Sequence, residues 1–451
     1  MSDLVKTDDE AFSKIAIMRP VRGGGEIVDP DKSVNYAAYL LHHHAFKGVF
    51  AYDEFSYSIK MIKCPEWFSR EAREKFDVHT ISDEDVIRTD YALQGFGMNG
   101  GIDKTKNAIL VAAHQNSVNP AKDYFSGLQW DGKPRLATWL TRYCSAVEDD
   151  VAYLAAVGTK WLVGAVARVM EPGCKFDTML IFEGAQGAGK STALRLLATF
   201  GDEGEEREYF TDQLSLANAD NKDELQKLAG ILICEIAELD GFHKRENTFL
   251  KAFISRQEDT YRPPYGIMPR TFPRQFVLAG SYNPNGGIIT DPTGARRYWF
   301  VKNGSLFDLE ALRKDKNQLW AEAVALYKKG EKTYLQDDLI RMAAGVADKR
   351  RIIDEWTNTV LDIAANRESV EVSQILKEMG IEVKTRTSKE NRRVGDVLRS
   401  AGWHYGRIGT RSSRDIYGWR NPKSVWVQKQ LDIEIPLVPQ PPVKDYDEVE
   451  Y

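Results

Sequence analysis

The stretch EGAQGAGKST, residues 183–192, has the composition of a loop that holds phosphate groups. It fits the pattern G-x-x-x-x-G-K-[ST] and lies between an apolar run and a helical pattern. Glycines let backbone N–H groups curve around phosphates, the lysine pairs with the β and γ oxygens, and the serine hydroxyl is a ligand for Mg²⁺. We therefore predict nucleotide contacts from the whole loop: Gly184, Ala185, Gln186, Gly187, Ala188, Gly189, Lys190, Ser191 and Thr192. The alternative, a tight turn that opens a buried helix, does not require Lys and Ser in this order.

Two acids that follow an apolar strand are candidates for the hydrolytic half of the site. A metal needs an acidic ligand and the attacking water needs a base, and ILICEIAEL supplies Glu235 and Glu238. We assign Glu235, together with Ser191, to the Mg²⁺ shell and Glu238 to polarising the water, although the reverse division is equally compatible with the pattern. The alternative is that both are solvated acids at the start of a helix.

Polar residues at two later positions extend this order. Asn283 ends the apolar run FVLAGSY, where it is placed to hold the water or sense the γ-phosphate, although NPN is also a turn signal. The pair Arg296 and Arg297 precedes an aromatic strand start and is a candidate arginine finger, supplied to the site of a neighbouring subunit. A surface salt bridge is the alternative for this pair. The intervening segment YRPPYGIMPRTFPR is either a loop that contacts nucleic acid or a neighbouring protomer, or a structural loop.

Elements that position these residues follow from the patterning. Apolar strands alternating with amphipathic helices predict an α/β fold with a parallel sheet, covered on both faces, over residues 116–345. Residues 1–115 are interpreted as a mostly helical N-terminal region. Residues 352–425 show helices followed by a basic hairpin, a winged-helix pattern, and residues 426–451 form a proline-rich acidic tail that we expect to be disordered.

Charge is segregated along the chain. The net charge is −5, yet residues 382–423 carry a surplus of +7. The predicted DNA contacts of this segment lie on one helix and on the hairpin: Lys389, Arg392, Arg393, Arg399, Arg407, Arg411 and Arg414. A basic domain that contacts protein is the alternative.

Composition constrains the class of protein. Four widely spaced cysteines fit neither a disulfide framework nor a zinc site, so we interpret them as reduced thiols in core positions. No apolar segment approaches the length of a membrane span, and no secretory leader is recognisable. A cytoplasmic protein without membrane contact is expected.

With these residues in view, the chain resembles the virulence-associated protein E family of phages and mobile genetic elements, whose ATPase is related to superfamily 3 helicases and AAA+ proteins. The resemblance covers residues 126–330 and rests on segments that occur in the family's order: WDGKPRL, PGCKFDTMLIFEGAQGAGKST, LICEIAELDGF, LKAFISRQEDTYRPPYG, DPTGARRYWFV and LWAEAVALYKKGE. The chain departs from the family at SYN, residues 281–283, where relatives often have Thr-Thr-Asn.

The resemblance implies a replication helicase that uses ATP and Mg²⁺ and assembles as a homo-oligomeric, hexameric ring on single-stranded or forked DNA. It places Lys190 and Ser191 in the phosphate loop, Glu235 and Glu238 on the acidic strand, Asn283 at the sensor and Arg296 and Arg297 at the finger. No primase pattern stands out, so a cooperating primase would be a separate chain. Two alternatives stay open, namely an initiator or helicase loader that uses ATP for assembly, and a DNA-binding regulator for which nucleotide is a switch.

Overall fold

The computed structural model describes the chain over residues 15–148, 150–201, 204, 206–215, 221–237, 239, 244–263, 268–283, 296–350, 354–381, 387–411 and 414–422. Contacts divide the chain into two units, Met1–Arg351 and Ile352–Tyr451. The N-terminal region thus belongs to the same unit as the central sheet. The predicted acidic tail, residues 426–451, lies outside the described residues.

The N-terminal region combines helices with a small sheet. Its helices are α1 (Ser33–His42), α2 (Arg70–Glu74), α3 (Asp83–Gly95) and α4 (Ile102–Gln115), and its strands are β1 (Met18–Pro20), β2 (Glu26–Val28), β3 (Phe50–Asp53), β4 (Ser58–Met61), β5 (His79–Thr80) and β6 (Ser117–Val118). Strands β1 and β2 pair with each other, and the other four form a sheet in the order β5-β4-β3-β6. The sequence-based description as mostly helical omitted this sheet, whose strands of two to four residues are too short to show an alternating pattern.

The central region is built on a five-stranded sheet. Its helices are α5 (Pro120–Gly127), α6 (Trp139–Cys144), α7 (Val151–Met170), α8 (Lys190–Leu197), α9 (Lys222–Gln226), α10 (Lys244–Ile254), α11 (Leu309–Lys328) and α12 (Asp338–Asp348). Its strands are β7 (Met179–Glu183), β8 (Thr199–Phe200), β9 (Arg207–Glu208), β10 (Phe210–Thr211), β11 (Ile233–Ile236), β12 (Glu258–Tyr261), β13 (Arg270–Pro273), β14 (Val277–Tyr282) and β15 (Tyr298–Lys302).

All strand pairs of the large sheet are parallel, in the order β10-β11-β14-β7-β15, so the predicted parallel α/β fold is confirmed. Strands β11 and β14 are buried along their whole length, as expected when helices cover both faces. Asp150 caps the N-terminus of α7, where its side chain accepts a hydrogen bond from Tyr153 N. The helix packs on the sheet through Trp161, whose Nε1 donates to Leu278 O at 3.0 Å.

The segment WDGKPRL and helix α11 hold each other in place. Glu322 on α11 is 5% exposed, and its Oε2 accepts hydrogen bonds from the backbone N–H groups of Arg135 at 2.6 Å and Leu136 at 3.0 Å. Asp131 in turn pairs with the guanidinium of Arg135 through both carboxylate oxygens at 2.8 Å. The segments WDGKPRL and LWAEAVALYKKGE, about 190 residues apart in sequence, are therefore held together by these hydrogen bonds.

The described residues of the second unit form three helices and an antiparallel sheet. Its elements in chain order are α13 (Thr357–Ala364), β16 (Ser369–Val370), α14 (Val372–Glu378), α15 (Ser388–Ser400), β17 (His404–Arg411) and β18 (Arg414–Arg420). The sheet order is β16-β18-β17. Helix α15 begins with a capping box between Thr387 and Glu390 and buries Val394 and Leu398 in the core of the unit.

None of the helices in the described residues is long and apolar enough to cross a membrane. The cysteines are free, with Cys144 and Cys234 buried and Cys64 and Cys174 half-buried.

Candidate nucleotide-binding and catalytic site

The glycine loop leaves the carboxyl end of β7 and leads directly into α8. Gly187 and Gly189 have φ angles of +79° and +96°, a region that disfavours residues with a Cβ. A Cβ on Gly189 would also lie 3.3 Å from Cβ of Phe307. Because Gly189 is the N-cap of α8 and supplies no side-chain cap, the N–H groups of the first helical turn are oriented to bind an anion.

Lys190 is drawn into the curve of this loop. Its ammonium group donates to the carbonyl oxygens of Gly184, of Ala185 at 3.2 Å and of Tyr282 at 3.4 Å, and the residue is 9% exposed. Carbonyl oxygens of the loop thus place the only positive charge of EGAQGAGKST at its centre, while Ala185, Gln186 and Gly187 face solvent. Phosphate oxygens that enter the loop would meet this ammonium group.

Glu235 connects three elements of the site. It lies on β11 and is 0% exposed, and its Oε1 accepts hydrogen bonds from Ser191 Oγ at 3.0 Å and from Ser281 Oγ at 2.6 Å. Ser191 belongs to α8 and Ser281 to β14, the strand between β7 and β11. The carboxylate therefore lies directly beside the loop, as the sequence predicted for one of its two acids.

The second carboxylate oxygen of Glu235, Oε2, indicates whether the residues at this site suit a metal ion. Oε2 is buried and accepts no hydrogen bond from any residue that the structure describes. A buried acceptor left without a partner costs about 1–3 kcal/mol, and more when it is charged. A hard cation with oxygen ligands compensates such an oxygen, and the adjacent hydroxyl of Ser191 supplies a further ligand of the same type. The residues present thus fit Mg²⁺.

Asn283 and Glu238 are the remaining members of the set that the sequence predicted. Asn283 is half-buried and follows the end of β14, one residue after Tyr282, whose carbonyl oxygen accepts from Gly184 N at 3.2 Å. The structure therefore brings Asn283 close to the loop along the backbone. Glu238 lies outside the described residues.

Arg296 and Arg297 lie at the amino ends of the parallel strands, whereas the loop lies at the carboxyl ends. They precede Tyr298, which pairs in register with Met179 at the start of β7, whereas the glycine loop follows Glu183 at its end. At about 3.3 Å per residue, the four steps from Met179 to Glu183 place the two ends of β7 about 13 Å apart, and the arginines lie beyond Tyr298. Arg297 Nε donates to Ser255 Oγ at 2.9 Å, whereas Arg296 is exposed. The pair is thus remote from the loop of its own subunit.

A buried ionic network supports the base of the loop. Arg350 Nε donates to Glu183 Oε2 at 2.6 Å, its Nη2 bonds Glu148 Oε1, and its Nη1 donates to Val346 O at 2.8 Å. Burial by itself lowers the pKa of Arg350, but the charges of Glu148 and Glu183 outweigh it and raise that pKa. Burial, together with the charge of Glu183, raises the pKa of Tyr282, so this phenol stays protonated. Because Glu183 directly precedes Gly184, the network fixes where the loop begins.

The segment that contains YRPPYGIMPRTFPR proves partly structural. Arg274 is 3% exposed and forms two hydrogen bonds to Asp259, at 2.6 and 2.8 Å, and a third to Phe253 O at 2.6 Å. Arg270 is exposed on β13, which pairs with β12 in an antiparallel hairpin. The hairpin is therefore anchored at its base by Arg274, and its intervening residues 264–267 lie outside the described residues.

The predicted DNA-contact residues divide between two roles. Arg393 pairs with Asp354 at 2.8 Å and lies 4.2 Å from the ring of Trp356, so its charge serves the packing of its own unit. The exposed side of α15 carries three basic residues at helical spacing: Lys389, Arg392 and Arg399. On the hairpin, Arg407 Nε lies 3.0 Å from Asp415, and Arg411 and Arg414 are paired in register.

Sequence reasoning missed two groups of the site. Ser281 could have been found, because Ser281 and Asn283 are two residues apart at the end of one strand and therefore share a face. Arg350 carried no local signal, since it is separated from Glu183 by 167 residues.

The pattern of the virulence-associated protein E-like domain matches residues 125–352. No curated protein matches the chain. Among solved structures, the A-form apo structure of the C-terminal region of NrS-1 is similar over 82% of this chain and 96% of that one, with 12% identity and a TM-score of 0.43. The match in sequence spans half of the chain and includes every segment of the resemblance described above.

Proposed function

Because this chain belongs to the family of virulence-associated protein E-like domains, as its motifs predicted, we propose that it is an ATP-dependent DNA helicase or replication ATPase of a phage or mobile genetic element. The observation that carries the proposal is the hydroxyl and carboxylate cluster of Ser191, Glu235 and Ser281 beside the glycine loop. A loop that only closes a turn has no need of a buried acid at the end of a separate strand.

In the proposed mechanism, the loop is a P-loop of the AAA+ class and each residue has one task. Backbone N–H groups of the loop and of the first turn of α8 bind the phosphates, and Lys190 pairs with the β and γ oxygens. Ser191 and Glu235 would hold Mg²⁺, which would supply positive charge to the transferring phosphoryl group. Asn283 orients the attacking water, and Glu238 accepts its proton.

The remote position of the arginine pair supports a ring. Arg296 is exposed at the amino ends of the strands, on the side of the sheet away from the loop. In a head-to-tail assembly it is therefore available to the site of the next subunit. Arg297, which binds Ser255 in its own subunit, would position its neighbour. We propose Arg296 as the finger and a hexameric ring as the assembly.

Helix α15 and the hairpin β17–β18 are proposed to be the recognition helix and wing of a winged-helix domain. The exposed side of α15 carries Lys389, Arg392 and Arg399, which would contact DNA phosphates. Arg407, Arg411 and Arg414 would extend these contacts along the hairpin.

The proposal is tested by ATP hydrolysis with the purified protein, with and without forked DNA. We expect hydrolysis that DNA stimulates, that Lys190→Ala abolishes and that Lys122→Ala, a change at an exposed lysine of α5, leaves intact. Strand displacement on the same fork should require the same residues. Stimulated hydrolysis without any unwinding would exclude the helicase, and dependence of hydrolysis on a partner protein would favour a loader.

Subunit mixing tests the trans site. Arg296→Ala and Lys190→Ala should each be inactive alone, yet a mixture of the two should regain hydrolysis, because one interface in the mixed ring keeps both residues. If the mixture stays inactive while both variants still assemble, the arginine does not act in trans.

A further inference from the structure

Two tyrosines on the C-terminal hairpin project into solvent beside each other. Tyr405 on β17 and Tyr417 on β18 are 64% and 56% exposed, more than any other large hydrophobic side chain in the described part of their unit. Their ring centroids lie 6.4 Å apart with an angle of 28° between the ring planes. The two rings therefore form an exposed aromatic pair outside the core.

The strand register explains how this pair arises. Tyr405 pairs with Trp419 and Arg407 with Tyr417, so these four side chains share one face of the hairpin. Trp419 is 4% exposed and lies against Gly395 of α15, where an added Cβ would meet its ring at 3.3 Å. This face of the hairpin is therefore buried at Trp419 and exposed to solvent at the two tyrosines. The rings of Tyr405 and Trp419 are in contact, with a centroid distance of 5.4 Å.

Two arginines lie near these rings, and each also pairs with an acid: Arg399 with Asp396 at 2.8 Å and Arg407 with Asp415 at 3.0 Å. The guanidinium of Arg407 belongs to the same face, and that of Arg399 lies 5.3 Å from the ring of Trp419. Residues 382–423 carry the surplus of +7 that the rest of the chain offsets. Aromatic rings beside cations are the combination that binds a single strand, in which bases stack on rings while phosphates meet the charges. A duplex keeps its bases stacked inside, so it has no use for exposed rings at this position.

We propose that Tyr405 and Tyr417 form a stacking surface for unpaired bases of single-stranded DNA, with Arg399 and Arg407 beside the flanking phosphates. This inference rests on the DNA-binding part of the proposed function but does not depend on ATP hydrolysis. It assigns the hairpin to the unpaired strand, whereas the charge pattern alone assigned it to phosphates of any DNA. On a fork, the hairpin then belongs where the strands have separated.

The test is fluorescence anisotropy with the full-length protein in the absence of nucleotide. Its probes are a labelled thymidine oligonucleotide, an abasic strand of the same length and a duplex of the same length. Tyr405→Ala and Tyr417→Ala should each weaken binding of the thymidine strand by about 5- to 150-fold, the range expected for one stacked base. Binding of the abasic strand and the duplex should change less than about twofold, because the phosphate contacts remain.

Two controls separate stacking from folding. Tyr405→Phe and Tyr417→Phe keep the ring and should bind the thymidine strand as the wild type does. Tyr91→Ala removes an equally exposed tyrosine, 69% exposed, from the N-terminal region and should have no effect.

Three results would overturn the inference. One is unchanged binding of the thymidine strand by the alanine variants, which would leave the surface to a protein partner, and another is an equal loss for all three probes. The third is failure of the wild type to bind the thymidine strand. If the wild type does not hydrolyse ATP but the alanine variants lose binding of the thymidine strand, the proposed ATPase is refuted and the stacking surface is supported. If the wild type hydrolyses ATP but the alanine variants bind the thymidine strand normally, only the stacking surface is refuted.

Discussion

Replacing Glu235 with glutamine should separate the stability of the fold from the binding of magnesium nucleotide. The carboxylate is fully buried and receives both of its described hydrogen bonds, from Ser191 and Ser281, on one oxygen. Glutamine keeps the shape of the side chain and an oxygen that both hydroxyls can reach. It removes the negative charge, and with it the carboxylate that would hold the metal.

The expected change in the free energy of unfolding is small because two terms oppose each other. The new amide N–H group would replace Oε2, which has no partner among the described residues, and an unsatisfied buried donor costs about 1–3 kcal/mol. Removing an incompletely compensated buried charge recovers a comparable amount. We therefore expect Glu235→Gln to lie within about 1 kcal/mol of the wild type without ligand, the difference between two terms of that size.

Ligand should then distinguish the two proteins. A ligand at 100 times its Kd stabilises the folded state by about 2.7 kcal/mol. Urea unfolding with and without Mg²⁺ and ADP should show this gain for the wild type and little of it for Glu235→Gln. ATP hydrolysis should fall by about 100-fold or more, since a ligand of the metal acts on the transition state itself.

Glu322→Gln is the matched control, because Glu322 is also a buried acid that accepts two hydrogen bonds on one oxygen, but it lies on α11, where it holds the segment WDGKPRL. This variant should keep both the gain from ligand and the hydrolysis. If Glu235→Gln keeps the full stabilisation by Mg²⁺ and ADP, or loses several kcal/mol without any ligand, Glu235 is a structural acid and not a metal ligand.

Three further changes have expected outcomes. Arg350→Met should lower the free energy of unfolding by about 3–5 kcal/mol in urea titrations, because the largely buried carboxylates of Glu148 and Glu183 lose their cation. A loss below about 1 kcal/mol would contradict the network. Gly189→Ala combines a φ of +96° with a Cβ 3.3 Å from Phe307, so titration with a fluorescent nucleotide should find weaker binding; Gly330→Ala, with φ +83° and open space around it, should bind normally. Burial raises the pKa of Cys234 to about 12, and the thiolate is the form that reacts with alkylating reagents. Alkylation of Cys234 in the folded protein, followed by mass spectrometry, should therefore be negligible at neutral pH and increase as the pH rises. Rapid modification near pH 7 would show that Cys234 is not buried.

The phosphate loop and the sheet class could be predicted from the sequence because both are encoded locally. Positive φ angles at Gly187 and Gly189 require glycine, and continuous apolar runs such as that of β7 mark strands buried on both faces. The family followed from the order of such local segments. The four-stranded sheet of the N-terminal region was missed because its strands are too short for a period to be visible.

Pairing between distant segments could not be predicted in the same way. Nothing near Glu235 indicates that Ser281 will donate to it, nor does the sequence near Arg274 distinguish a buried ion pair with Asp259 from a surface contact with DNA. Similarly, Arg393 has the same local surroundings as Arg392, yet only Arg393 is drawn to Asp354.

The sequence by itself therefore determined which chemical groups this protein has and the order in which they occur, because backbone conformation and burial pattern depend on near neighbours. Only the tertiary structure decided which groups share a site. It placed Glu235 against the loop, the arginine pair at the amino ends of the parallel strands and two tyrosines on a solvent-exposed face of the hairpin. These positions depend on strand order and register between segments far apart in the chain.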